Sequence, residues 1–144
     1  MSSLGSLVFR QRALLGITAA IATGQAVLGL LAPRLLASLF GYEEDGVVLI
    51  ELRAFYGGFM AGVAVLLWLA VVWPRLRPGA LMLLLCGCAG AAAGRVFGML
   101  ETDAWSPVIV LLAIYEIAVA IVAAVVMVRP HGREPAQTEA EGAG

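Results

Sequence analysis

Four long apolar runs, each closed off by a charged or proline-rich connection, constrain this chain more than any other feature. A helix crossing the roughly 30 Å hydrocarbon core of a bilayer needs about 20 mostly apolar residues. Residues 13–32, 47–73, 79–100 and 106–128 each supply them. In hydrocarbon every backbone N–H and C=O must be satisfied within the segment, so such runs become helices. Composition agrees: 62% of the 144 residues are hydrophobic, 13% are charged, and the mean hydropathy is +0.98. A soluble domain is about half apolar and a quarter charged, and a chain this short could not hide the excess from water. An ordinary soluble enzyme, a disordered chain and a nucleic-acid binder are excluded. The expected fold is all-α, an integral membrane four-helix bundle. A segment 1–12 precedes one transmembrane domain, 13–128, and a polar tail, 129–144, that is expected to be disordered.

The basic residues set an expected orientation. All nine are Arg, and Arg10, Arg12, Arg75, Arg77, Arg129 and Arg133 fall on one side of the four spans. The other side carries Arg34 against Glu43, Glu44, Asp45, Glu101 and Asp103. Arginine excess marks the cytoplasmic side, so both termini are expected there, in a multi-pass protein of the cytoplasmic (inner) membrane. Trp73 and Trp105 fall at the expected interfaces. The first run is longer than a signal-peptide core and no clear Ala-x-Ala site follows it, so a retained helix is expected. The short apolar stretch 33–42 is expected to lie as an interfacial helix.

Four ionisable residues fall inside the spans: Glu51, Arg53, Arg95 and Glu116, a set with no net charge. At 1.5 Å per residue, Glu51 lies about 6 Å from the outer end, Arg95 about 8 Å, Arg53 about 9 Å and Gln25 about 10 Å. Glu116, with Tyr56 and Tyr115 at similar depth, lies about 15 Å in. Charges at such depth pair or line a cavity, and a long Arg side chain at 53 or 95 can reach Glu116. Three readings follow: a staple fixing helix register, an outward-opening pocket for an anionic or polar headgroup, or a proton relay through Glu116. Cys86 and Cys88, two apart on a helix, do not face each other and are expected as small buried hydrophobes. The only His, His131, lies in the tail, so no metal set is expected.

Small residues mark expected packing faces, because they let helices approach closely in lipid. Gly90, Gly94 and Gly98 form two overlapping GxxxG units, Gly58 and Gly62 another, and Gly16, Ala20 and Gly24 a third. The first set is expected to pack within the monomer, with a dimer face as the alternative.

The run Glu51-Leu52-Arg53-Ala54-Phe55-Tyr56-Gly57-Gly58, the pair Gly94-Arg95 and Glu116 together resemble the bacterial family called domain of unknown function 4345. Its members are small four-helix membrane proteins. The resemblance covers about residues 13–128 and implies that Arg53, Gly57, Gly58, Gly94, Arg95 and Glu116 are the positions of interest. It implies no activity. The expected role is a non-catalytic accessory or structural subunit with a buried Arg/Glu network. The alternative is a lipid or amphiphile binding or transport protein, and an intramembrane isomerase using Glu116 is a third reading. No cofactor and no nucleic acid is expected. The expected partners are membrane lipid and either a larger membrane complex or a second copy.

Overall fold

The computed structural model describes residues 3–43, 45–102 and 105–127. Glu44, Asp103, Arg129, Arg133, His131 and the polar tail lie outside the described residues. Every element among the described residues is helical: α1 Ser3–Leu31, α2 Pro33–Phe40, α3 Gly46–Leu52, α4 Met60–Val72, α5 Arg77–Thr102 and α6 Pro107–Met127. A π-helical segment, Arg53–Phe59, joins α3 to α4 without a break, and a 3-10 turn, Pro74–Leu76, joins α4 to α5. Four helical stretches are long and apolar enough to cross a membrane: Gly5–Leu31, Gly46–Val72, Pro74–Thr102 and Pro107–Met127.

Local chemistry explains the boundaries. Pro33 opens α2 from its first turn, where a missing N–H costs nothing. Gly41 closes α2 in the left-handed region at φ 75°, which glycine adopts without steric cost. Trp73 is extended ahead of Pro74 and so ends α4. The first helix starts at Ser3, well ahead of residue 13, because Arg10, Gln11 and Arg12 are good helix formers that a hydropathy pattern reads as a boundary.

The helices associate as two pairs. α1 packs along α4 and the π segment, and α5 packs along α6. The pairs meet in the half of the bundle that holds the Pro74 turn. There Leu15, Leu67 and Leu81 are fully buried among Ala19, Ala70, Ala80 and Ala123. Alanines at these crossings allow close backbone approach. Gln11 Nε2 donates to Val126 O at 3.0 Å, tying α1 to α6, and Trp68 Nε1 donates to Thr23 Oγ1 at 3.2 Å, tying α4 to α1. At the opposite end α2 folds back, burying Leu36 and Ala37 against Leu52. Phe9, Leu31, Phe97 and Leu100 are among the most exposed side chains and form part of the apolar outer surface.

Two expectations are corrected, and Arg77 gains a role that its place among the orientation charges does not show. It is buried, with Nε donating to Ala70 O at 3.2 Å and Nη2 to Val71 O at 3.3 Å, so it caps the carbonyl end of α4. Arg75 is the exposed one, set 5.6 Å over the Trp73 ring. Cys86 and Cys88 are free thiols, as the spacing requires, but Cys86 is exposed and Cys88 half-buried. The glycine faces meet no close packing partner among the described residues. A Cβ at Gly16, Gly24, Gly62, Gly90, Gly94 or Gly98 would meet nothing within 4 Å, and one at Gly58 would meet only Arg53 O at 3.9 Å. Alanine forms the seam instead.

Arg77→Ala is expected to lower stability by about 2 kcal/mol, the scale for a charged donor serving buried carbonyls. Arg77→Lys, which keeps the charge, should recover part of it. Thermal unfolding in lipid nanodiscs reads the loss, and an unchanged midpoint for Arg77→Ala would contradict the cap.

Candidate functional site

The two helix pairs diverge beyond the alanine seam, toward the α2 end, and the divergence opens a cleft of about 450 Å³. This lies within the range of about 300–1,000 Å³ typical of small-molecule sites. Thr18, Ala22, Leu67, Leu84 and Met60 form much of its apolar interior. From Leu84 to Arg95 the wall runs eleven residues along α5, roughly 16 Å. The polar residues gather toward the far end: Gln25, Tyr56, Arg95, Tyr115 and Glu116, with Cys88 nearby.

Arg95 and Glu116 form an ion pair between α5 and α6. Arg95 Nε donates to Oε2 at 3.0 Å and to Oε1 at 3.2 Å. The Glu116 side chain is 11% exposed and that of Arg95 23%. Both helices present small residues around the pair, Ala92 on α5 and Ala113 and Ala120 on α6, which lets the charges meet in the interior. Tyr56 lies beside the guanidinium, and Tyr115 and Cys88 sit within electrostatic reach of the carboxylate.

The π-helical segment brings Tyr56 to this site. Its wider turn is closed by the Met60 N–H bonding to Phe55 O, five residues back. Phe55 and Phe59 stack with ring centroids 5.2 Å apart, and Tyr56 packs on Phe40 of α2 at 5.2 Å. Glycine makes the segment's seat. A Cβ on Gly29 of α1 would run into Gly57 N and the Tyr56 carbonyl carbon, and would stand 2.7 Å from Tyr56 O. The backbones of α1 and the π segment therefore touch here.

Five of the lining residues are exposed: Phe55 and Phe59 on one side, Gly87, Ala91 and Gly94 on the other. The cleft thus opens sideways, between α5 and the strand of helix running from the π segment into α4. Two residues grouped with this site by sequence lie elsewhere. Glu51 is exposed and does not line the cleft. Arg53 borders a separate cavity of about 330 Å³ with Arg34, Pro33 and Leu49.

The same order of residues is matched by a family: Domain of unknown function (DUF4345), over residues 10–127. The chain belongs to DUF4345. No curated protein and no solved structure matches it. The DUF4345 match covers most of each membrane-competent helix and all the residues that line the cleft.

Sequence reasoning missed Gly29, Phe55, Phe59, Gly87 and Ala91. Gly29 is a lone glycine in the run Val27-Leu28-Gly29-Leu30-Leu31. A single glycine inside a helix costs about 1 kcal/mol against alanine unless packing needs it, and that was the available signal.

Proposed function

We propose that this protein holds an amphiphile in its side cleft, as a non-catalytic membrane component. The observation that carries the reading is the 450 Å³ cleft itself, apolar inside and furnished with an Arg–Glu pair and two tyrosines toward one end. Sites for small molecules combine an apolar lining with a few convergent polar groups in this way. The exposed lining residues lie on a lateral opening, so the guest arrives from the bilayer. This differs from the outward-opening pocket read from residue depths. The arginine distribution supports placing the chain in the cytoplasmic membrane with its amino terminus inside.

Purification into nanodiscs followed by solvent extraction and mass spectrometry tests the reading. The wild type is expected to carry an amphiphile in near-stoichiometric amount. Ala91→Phe, which fills the opening from an exposed position, is expected to lose at least nine-tenths of it while unfolding at nearly the same temperature. Equal recovery from both proteins would sink the proposal. An empty cleft together with a stoichiometric co-purifying protein would support an accessory subunit instead.

A further inference from the structure

We infer that the cleft selects a single-chain amphiphile with an uncharged, hydroxyl-bearing head. The inference rests on the cleft being a binding site and adds the class of its guest. The first ground is charge. Arg95 is already neutralised by Glu116 at 3.0 Å, with Glu116 buried and Arg95 partly exposed in a cleft lined mostly by apolar side chains. An anionic head would bring an unmatched negative charge beside the Glu116 carboxylate, and a cationic head an unmatched positive charge beside the guanidinium. Either charge loses its water on entry without a free counter-charge to meet it.

The second ground is hydrogen bonding. Arg95 uses Nε on both carboxylate oxygens. Tyr56 takes a further hydrogen bond from the guanidinium, and the N–H groups left over from its five remain as donors. A carboxylate has about four acceptor positions, so Glu116 keeps capacity for a further donor. A hydroxyl both accepts and donates, so it satisfies the two sides at once. Carboxylate, phosphate diester and quaternary ammonium heads each lack one of these functions or add a charge.

The third ground is size. At about 30 Å³ per small group, taken from the volume of a liquid water, the cleft holds on the order of fifteen non-hydrogen atoms. It is roughly 16 Å long. One medium chain with its head matches this size, and a second acyl chain would have to stay outside, across the lateral opening.

Native mass spectrometry in phosphatidylcholine nanodiscs tests this with three probes of one chain length: monolauroylglycerol, laurate and lauroylcholine. The three are supplied together at equal mole fraction, at a pH well above the carboxylate range so that laurate is ionised. Binding that persists in Ala91→Phe is subtracted as non-cleft lipid. Monolauroylglycerol is expected to occupy the cleft at least tenfold over either charged probe. Glu116→Gln leaves Arg95 uncompensated, and laurate is then expected to overtake monolauroylglycerol. The neutral double variant Arg95→Gln/Glu116→Gln should keep the preference for the uncharged head. Comparable occupancy by all three probes, or a wild-type preference for laurate or lauroylcholine, would overturn the head selectivity and leave the binding role standing. A Glu116→Gln protein that folds and keeps the wild-type order would overturn it too. No Ala91-dependent occupancy by any probe would overturn both. The wild-type ranking decides the matter should the variants fail to fold.

Discussion

Replacing Gly29 by alanine is expected to abolish most of the folded protein. The added methyl would collide with the Gly57 nitrogen and with the Tyr56 carbonyl group, which are backbone and cannot rotate aside. Ordinary overpacking costs about 1–3 kcal/mol when side chains can adjust. Here two helix backbones would have to separate, and a loss of more than about 3 kcal/mol is expected. Folded yield by size-exclusion chromatography, with thermal unfolding of what remains, measures it. Gly62→Ala and Gly90→Ala are the matched controls, since a Cβ at either position meets nothing within 4 Å. Both should fold at least as well as the wild type, because alanine is the better helix former. A Gly29→Ala protein as stable as these controls would mean that α1 and the π segment do not touch.

The second large effect is expected at the ion pair. Arg95→Ala leaves Glu116 nine-tenths enclosed without its partner. Breaking a fully buried pair by removing one member costs about 3–5 kcal/mol. The Arg95 side chain is 23% exposed, so the pair is less enclosed than the pairs that set this range, and about 2–3 kcal/mol is expected. Removing both charges should cost less than the sum of the single losses. A coupling on the order of 1–2 kcal/mol is expected from the double-mutant cycle Arg95→Gln, Glu116→Gln and the pair together. Strict additivity would show that the two side chains do not act on each other. This measurement is separate from guest binding, so the pair's structural role and its role in selection can be assigned independently.

Much of this architecture was legible in the sequence, for physical reasons that also mark where legibility ends. A span must be apolar along its whole length, so hydropathy alone locates four of them. A charge at depth must find company, so Arg95 and Glu116 stood out, and their depths placed them within reach of each other. The same argument could not separate Arg53 from Arg95. Depth gives height along a helix axis, not the direction a side chain faces, and the π segment shifts that direction for everything around Tyr56. Arg77 counts only as an orientation charge in the sequence because its partners are the carbonyls of Ala70 and Val71, which no side-chain pattern reveals. Glycine spacing drew attention to Gly90, Gly94 and Gly98, where a repeat exists, and away from Gly29, where none does. A close approach between backbones needs only one glycine on each side, and a single residue has no period to detect.

The seam and the mouth of the cleft draw on different residues, and this separates robustness from selectivity. Leu15, Ala70, Leu81 and Ala123 hold the helices together without lining the cleft, while Ala22, Leu67 and Leu84 serve both. Gly87, Ala91 and Gly94 shape the opening while remaining exposed, so a larger side chain there narrows the space and disturbs little else. One or two substitutions at these positions could refit the scaffold to a shorter, longer or bulkier guest with the seam untouched. A bundle of this construction can change what it holds without first having to survive a change in how it folds.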